Sequence, residues 1–221
     1  AGIRVVSGNF TLARPVGIVD GVDFAYSGLV RKVDAASIRH ALDNQQIVLL
    51  SNIGYSATGE AFNLAMEDVA AITAMALNAD KLVFLAEVPG VRGEDGQIQT
   101  EISEAQARAV LAQPDLELPL RIYLTAALKA CEGGVARSHV VPFAVDGSVL
   151  LEFFLHDGVG TMVVRETLEA VREATIEDVG GILALIQPLE ADGTLVKRDR
   201  ALIEAEIGNF TVIEHDQVIF G

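Results

Sequence analysis

The chain has 221 residues, of which 51% are hydrophobic and 21% charged, a composition that supports a sizeable core and argues against disorder. Its formal net charge of −15 argues against nucleic-acid and anionic-membrane partners, because phosphate contact needs clustered lysine and arginine. With one cysteine, no secretory signal and no apolar run of about 18 residues, we expect a cytoplasmic protein.

The first part of the chain alternates strand and helix patterns. Asp34 precedes a helical pattern and predicts its N-cap. A continuous apolar run that ends in glycine is typical of a parallel strand buried on both faces. In chain order, the predicted elements are short strands and turns over 3–30, a helix over 34–43, the buried strand over 47–54, a helix over 63–79 and a strand over 80–91. This alternation predicts an α/β sandwich with a mainly parallel sheet.

The middle of the chain contains further helix signals and one strand pair. Ser103 with Gln106 predicts a capping box at the start of a helix. A second helix is predicted over 121–134, where paired glycines end it. The turn residues Asp146-Gly147 lie between two apolar stretches, so we expect a strand pair around them.

The last part of the chain is predicted as a separate unit, with the boundary between residues 165 and 166. Its predicted elements are a helix-like connector over 164–174, a helix over 175–189 with Thr175 as N-cap and Asp178 three residues on, a helix over 195–207, and a hairpin with its turn at His215-Asp216. About 55 residues are few for a free-standing α/β domain. We therefore expect 166–221 to be the opening of a second domain, in a chain that is a fragment of a longer protein.

The segment from Gly133 to Val163 has the residues best suited to a small-ligand site. Glu152 lies in the apolar run VLLEFF, where a carboxylate is paired, faces a ligand, or reaches water at an edge. His139 is a ligand-facing or a structural histidine. The glycines of DGVGT (157–161) form a plain turn, or they expose main-chain N–H groups that donate hydrogen bonds to a carboxylate. The residues alone leave these alternatives open.

Other site motifs are missing from the sequence. The four histidines show no metal-ligand spacing, and with one cysteine we expect no metal site. No dinucleotide fingerprint, P-loop, GxSxG or HExxH is present. Asn63 and Asp68, near the start of the 63–79 helix, either orient a substrate amine or cap the helix.

Three stretches of the chain resemble known protein families. Residues 49–91 resemble the second half of the amino-acid kinase fold, and residues 133–163 are similar to the arginine-sensing segment of acetylglutamate kinases and their relatives. The tail, residues 174–221, closely resembles the first part of a GNAT acetyltransferase domain. This order, with DGVDFAYSGLVRKVD (20–34) upstream, is characteristic of the bacterial N-acetylglutamate synthase family.

The resemblance implies an activity, ligands and site residues. The reaction is acetyl transfer from acetyl-CoA to L-glutamate, the first step of arginine biosynthesis, under feedback inhibition by L-arginine. His139, Glu152, Gly158 and Gly160 correspond to the arginine site, where Glu152 would pair with the guanidinium and the glycine backbone would meet the other end of the ligand. Arg198, with Lys197 beside it, would take the carboxylate of the substrate glutamate. A homo-oligomer formed through the kinase-like domain is also implied.

The chain departs from these families at two places. Active kinases of this type have a lysine in the helix before GGV, where the nearest position here is Tyr123, so we expect the kinase reaction to be lost and the domain to be regulatory. The loop that binds acetyl-CoA in GNAT domains would lie beyond Gly221, so we expect the 221-residue chain to be inactive by itself, with no catalytic base assigned. The alternatives are an acetylglutamate kinase-type phosphotransferase and a non-catalytic arginine-binding fragment.

Overall fold

The computed structural model describes residues 2–93, 95–154, 158–165, 169–191, 193–196, 198–215 and 218–219. The chain forms two compact units, residues 1–165 and 166–221. Each unit has its own cluster of buried apolar side chains.

The strands of the first unit are β1 (Arg4–Ser7), β2 (Thr11–Pro15), β3 (Ile18–Val19), β4 (Val22–Asp23), β5 (Gly28–Val33), β6 (Gln46–Leu49), β7 (Ile53–Tyr55), β8 (Ala61–Asn63), β9 (Lys81–Ala86), β10 (Glu101–Ser103), β11 (Arg137–Pro142) and β12 (Thr161–Val164). Its helices are α1 (Ala35–Asp43), α2 (Met66–Leu77), α3 (Glu104–Leu111), α4 (Leu118–Glu132) and α5 (Ser148–Phe154). The α/β class predicted from the sequence is confirmed.

One four-stranded sheet, in the order β10-β12-β11-β9, forms the centre of the first unit. β11 pairs in parallel with β9 and antiparallel with β12, and β12 pairs in parallel with β10. Helix α4 packs against both β11 and β9, and its side chains Leu124, Ala127 and Cys131 are fully buried with Val140 and Val163 of the sheet. This apolar packing fixes the position of β11, the strand that contains His139.

The expectation of a mainly parallel sheet holds for this central sheet and for the parallel β1–β6 pair, but not for the other strands of the first unit. The second four-stranded sheet, β5-β2-β7-β8, has antiparallel β2–β5 and β7–β8 pairs and one parallel β2–β7 contact. β3 and β4 form a separate antiparallel hairpin. These antiparallel pairs are joined by short connections, whereas parallel neighbours need a longer crossover.

The apolar run over 47–54 does not form the predicted strand buried on both faces. It divides into β6, which pairs in parallel with β1, and β7, which belongs to another sheet. Ile47 and Leu49 are 52% and 59% exposed, because only one face of β6 is covered. The apolar composition of the run correctly predicts a strand, but it does not show whether one face or both faces of that strand are buried.

The predicted helix caps of the first unit are confirmed. The Asp34 carboxylate accepts a hydrogen bond from the Ser37 main-chain N–H (3.1 Å) at the start of α1. At α3, the Gln106 N–H donates to the Ser103 hydroxyl (3.2 Å), and the Ser103 N–H donates to the Gln106 side chain (2.8 Å). Both caps join residues three positions apart, so the local sequence is sufficient to predict them.

The predicted strand pair around Asp146-Gly147 is wrong. β11 ends at Pro142, a turn follows in which Gly147 has a φ of +69°, and residues 148–154 form α5. The antiparallel partner of β11 is β12, and α5 belongs to the connection between them. A short apolar run such as VLLEFF fits a strand and a helix equally well, so Glu152 lies on a helix rather than on a hairpin.

The second unit combines a small sheet with two helices. Its elements are β13 (Glu169–Glu173), α6 (Val179–Ala191), α7 (Arg200–Ala205), β14 (Thr211–His215) and β15 (Val218–Ile219), with 3₁₀ turns over Ile176–Asp178 and Ile207–Asn209. The strands pair antiparallel in the order β13-β14-β15. Buried Val179, Ile182, Ile203 and Val212 form its core.

Two predictions for the second unit need correction, and two are confirmed. The connector over 164–174 is not helical, because β12 ends at Val164 and residues 169–173 form β13, which is held by pairing with the distant β14. The helix predicted over 195–207 is shorter: α7 begins after the N-cap Asp199. The prediction of Thr175 as N-cap with Asp178 three residues on is confirmed, and Oδ2 of Asp178 accepts hydrogen bonds from the Thr175 N–H (2.7 Å) and hydroxyl (2.9 Å). The β14–β15 hairpin is also present, although Asp216 of its predicted turn lies outside the described residues.

Candidate functional site: a buried histidine and carboxylate beside a glycine turn

His139 and Glu152 form a buried pair in the first unit. His139 lies in the middle of β11, paired in register with Val83 of β9 and Met162 of β12. Glu152 extends from α5, and its Oε1 is 2.6 Å from Nδ1 of His139. Each side chain is only 4% exposed. An ionised carboxylate has no proton to donate, so Nδ1–H of His139 is the donor.

The second carboxylate oxygen of Glu152 accepts hydrogen bonds from the glycine turn. The main-chain N–H groups of Val159 and Gly160 donate to Oε2 at 2.9 and 3.3 Å. Burial by itself would raise the pKa of Glu152, but the hydrogen bonds from His139 and from these two N–H groups outweigh it and hold the pKa below its ordinary value. Glu152 is therefore an anion at neutral pH.

Both glycines of the turn are required by close contacts. Gly158 has a φ of +47°, and a Cβ at this residue would lie 2.8 Å from Oε2 of Glu152. At Gly160 a Cβ would collide with the main-chain carbonyl of Val140 on β11. The turn can therefore approach β11 and the Glu152 carboxylate only where side chains are missing.

The other imidazole nitrogen of His139, Nε2, has no hydrogen-bond partner among the residues that the structure describes, although it is buried. With the proton on Nδ1, a neutral ring offers Nε2 as an acceptor, and a protonated ring offers it as a donor. Buried polar atoms are seldom left without a partner. This nitrogen is therefore a point at which a bound molecule could be recognised.

One contact at this site was not predicted from the sequence. The Thr161 side chain is fully buried, and its hydroxyl accepts a hydrogen bond from the Val91 N–H at 2.8 Å. Gly90, with a φ of +119°, is required there because its Cβ would lie 2.5 Å from that hydroxyl. The threonine of DGVGT, directly after the glycines, was the available signal for this contact. The sequence predicted main-chain N–H donors in this turn, and the structure shows that Val159 supplies one of them.

The structure brings together His139, Glu152, Gly158 and Gly160. Of the two residues predicted to bind glutamate, it describes only Arg198. Arg198 is exposed in the loop before α7, where its main-chain N–H donates to the Glu190 carboxylate at 2.8 Å. Lys197 lies outside the described residues. The assignment of these two residues to glutamate remains a prediction.

Tyr123 lies on α4 and is the residue predicted to stand nearest to the lysine of the resembled kinases. Its hydroxyl donates to the Glu87 carboxylate at 3.0 Å. Burial, assisted by this contact with Glu87, raises the pKa of Tyr123. The lysine of the same helix, Lys129, reaches Asp68 on α2 instead, at 2.7 Å.

Neither Asn63 nor Asp68, the two residues predicted near the start of the 63–79 helix, is its N-cap. The N-cap of α2 is Ala65, which has no capping side chain. Asn63 ends β8, and its side-chain oxygen accepts a hydrogen bond from Asn52 at 2.9 Å.

Among the residues that the structure describes, no three His, Cys, Asp or Glu side chains are grouped so that they could hold a metal ion. Over the same residues, no helix has the length and apolar character needed to cross a bilayer.

The chain is similar to amino-acid acetyltransferases and to N-acetylglutamate synthase. The amino-acid acetyltransferase of Ralstonia nicotianae is 61% identical over 221 residues, which are 100% of this chain and 49% of that protein. The structure of N-acetylglutamate synthase from Neisseria gonorrhoeae with coenzyme A and L-arginine has a TM-score of 0.90 at 37% identity, covering 100% of this chain and 51% of that one. A second structure of that synthase, with coenzyme A and N-acetyl-glutamate, has a TM-score of 0.71 at 38% identity, over 99% and 51%.

The chain therefore spans about half the length of the relatives that it matches. A family model, the amino acid kinase family, matches residues 3–142. These residues include all the helices and strands of the first unit up to the end of β11, with His139 among them. The chain belongs to the amino acid kinase family.

Proposed function

We propose that this chain is part of an amino-acid N-acetyltransferase that transfers the acetyl group of acetyl-CoA to the α-amino group of L-glutamate. The reaction breaks the thioester C–S bond, forms an amide and releases coenzyme A, as the first step of arginine biosynthesis. Support comes from the Ralstonia relative at 61% identity and from the Neisseria synthase structures with coenzyme A bound.

In this proposal, residues 166–221 are the opening of a GNAT domain. The sequence resemblance of the tail supports this, together with an antiparallel sheet that packs with α6 and α7. Arg198 and Lys197 would hold the carboxylate of the substrate glutamate. The main acetyl-CoA loop would lie outside the chain, so the 221-residue chain should show no acetyl transfer.

Residues 1–165 are proposed as the regulatory domain, which binds L-arginine at His139, Glu152, Gly158 and Gly160. One observation carries this proposal: a buried carboxylate and imidazole lie 2.6 Å apart, and the second ring nitrogen has no partner among the described residues. A guanidinium supplies both the positive charge for Glu152 and an N–H for Nε2 of a neutral His139. The Neisseria synthase in its L-arginine complex is the structure with the TM-score of 0.90.

The side chain of Tyr123 argues against the kinase-type alternative. A phosphotransferase needs a cation to stabilise the charge on the transferring phosphoryl group, and the Tyr123 phenol is neutral and has a raised pKa. A non-catalytic arginine-binding protein remains the second candidate, because the His139–Glu152 pair does not depend on the residues of the second unit.

The proposed function is tested by two assays on the full-length protein. The first measures coenzyme A thiol released from acetyl-CoA in the presence of L-glutamate, with and without L-arginine. The second measures ADP formed from ATP with N-acetyl-L-glutamate. We expect glutamate-dependent thiol release that arginine alters, and no ADP. Formation of ADP would favour the kinase, and arginine binding without either activity would favour the non-catalytic sensor.

The proposal also includes a cytoplasmic homo-oligomer formed through residues 1–165. Its support is the family resemblance and, for location, the single cysteine, which suits a reducing compartment. Light scattering of the 221-residue chain tests the oligomer, and a monomeric mass would contradict it.

A further inference from the structure

The Glu152 carboxylate already occupies the position that a ligand carboxylate would be expected to take. Two main-chain N–H groups, from Val159 and Gly160, converge on Oε2. Convergent main-chain donors of this kind bind anions regardless of the molecule that supplies the charge. In this structure the anion is supplied by the protein's own side chain, which is 4% exposed. We call these two N–H groups the carboxylate cradle.

A guanidinium cannot form its two parallel hydrogen bonds with Glu152 while the cradle holds that side chain. The bidentate pair uses both carboxylate oxygens. In the structure Oε1 is engaged by His139 and Oε2 by two donors, so three of about four lone-pair positions are occupied. If Glu152 turns toward a guanidinium, the N–H groups of Val159 and Gly160 lose their acceptor and need another.

We propose that Glu152 is an intramolecular stand-in for the carboxylate of an amino-acid ligand, and that the ligand binds by exchange. The guanidinium draws the Glu152 carboxylate out of the cradle, and the ligand's own carboxylate takes the N–H groups of Val159 and Gly160. The exchange rests on the proposed arginine site and adds its order of events and its specificity. A ligand with only one of the two charged ends leaves either Glu152 or the cradle without a partner.

Gly158 is the residue that makes the exchange sterically possible. A Cβ there would lie 2.8 Å from Oε2 of Glu152, so the glycine leaves open the space directly beside the cradle. The neighbouring Gly160 has a different role, because its missing Cβ admits the Val140 carbonyl of β11. The turn therefore has one glycine for strand contact and one beside the anion.

The cradle is tested without arginine by titrating the Glu152→Ala chain with acetate and recording the amide NMR signals of Val159 and Gly160. We expect saturable shifts of these two amides, with acetate bound at least ~10-fold more tightly than by the wild-type chain. Glu152→Gln is the matched control, because its side-chain oxygen still fills the cradle. Chloride at equal ionic strength should have no effect. If acetate leaves both amides unmoved while the Val140 and Thr161 amides keep their wild-type positions, the proposal is overturned.

The exchange is tested in the wild-type chain with agmatine, which has the guanidinium of arginine but no carboxylate. We expect acetate to shift the Val159 and Gly160 amides only when agmatine is present, and arginine alone to produce both effects. This arm does not depend on the folding of Glu152→Ala. Acetate that binds equally with and without agmatine overturns the exchange. Calorimetry with arginine tests the proposed function separately: acetate binding by Glu152→Ala without any arginine binding by wild type would keep the cradle and reject the arginine site.

Discussion

Glu152 in the first unit and Asp178 in the second are both nearly buried carboxylates that accept hydrogen bonds from a basic side chain and from the main chain. Asp178 binds the Arg172 guanidinium through two bonds of 2.7 and 2.8 Å and accepts from the Thr175 N–H at 2.7 Å. These bonds hold the pKa of Asp178 well below its usual range. Its partner Arg172 is charged at any pH at which the protein folds.

The two carboxylates differ in what their partners leave unsatisfied. Asp178 takes its donors from within six residues of the chain, and its pair closes the start of α6. Glu152 takes donors from up to 13 residues away, and its imidazole partner keeps one buried nitrogen without a partner among the described residues. A closed local pair serves folding, whereas an open non-local pair has capacity for a ligand.

The largest expected effect on stability is that of Glu152→Ala, which removes three buried hydrogen bonds and leaves Nδ1 of His139 without its acceptor. We expect the free energy of unfolding of the first unit to fall by about 3 kcal/mol. All three tyrosines, Tyr26, Tyr55 and Tyr123, lie in this unit and the chain has no tryptophan, so tyrosine fluorescence in urea reports it selectively. Glu152→Gln, which keeps the shape of the side chain, should lower this free energy of unfolding by a smaller amount. A loss for Glu152→Gln as large as that for Glu152→Ala would mean that the charge alone accounts for the stabilisation, and no loss for Glu152→Gln would mean that the charge is unimportant.

Gly160→Ala should lower the free energy of unfolding of the first unit slightly less, by about 2 to 3 kcal/mol, because the new methyl group meets the Val140 carbonyl on a paired strand. Gly147→Ala is the control: it also adds a methyl group, at a φ of +69°, but with nothing within 4 Å, so it should cost only about 1 kcal/mol of backbone strain. The tyrosine-monitored urea transition measures both. Similar values for the two variants would contradict the close approach of the turn to β11.

Asp178→Ala should lower the stability of the second unit by about 2 kcal/mol, through loss of the cap and of the Arg172 pair. Hydrogen exchange at the Val212 amide of β14 measures this locally. The tyrosine-monitored transition of the first unit should stay in place. A shift of that transition as large as the one caused by Glu152→Ala would remove the distinction between the two pairs.

The smallest expected effect is on the acid side of the stability curve. The folded pKa of Glu152 is lowered, so the unfolded state takes up a proton first as the pH falls. The stabilisation is present above the unfolded value of about 4.3 and is lost as the pH falls through the lower folded value. Glu152→Gln should therefore flatten the tyrosine-monitored stability curve below about pH 5. An unchanged slope in this variant would show that Glu152 does not titrate as described.

Local parts of this structure were predictable and non-local parts were not. The caps at Asp34, Ser103 and Thr175 each join residues three apart, so the sequence contains all the information that they need. The strand β13 was mistaken for a helix because its pairing partner, β14, lies about 40 residues further along the chain.

The candidate site was predictable in its members but not in its geometry. Glu152, His139 and the glycines of DGVGT stood out in the sequence itself, and the family resemblance assigned them to one arginine site. The run VLLEFF did not reveal that α5 is a helix, since six residues do not separate the two periodicities. That Gly160 admits the Val140 carbonyl depends on the β11–β12 pairing, which no local pattern contains.

The most direct test of the ligand site is calorimetric titration of the 221-residue chain with L-arginine. We expect saturable binding by the wild-type chain, the same affinity for Asp178→Asn, and an affinity at least ~30-fold weaker for Glu152→Gln. Absence of binding by the folded wild-type chain, or wild-type affinity in Glu152→Gln, would contradict the assignment of Glu152 to the arginine site.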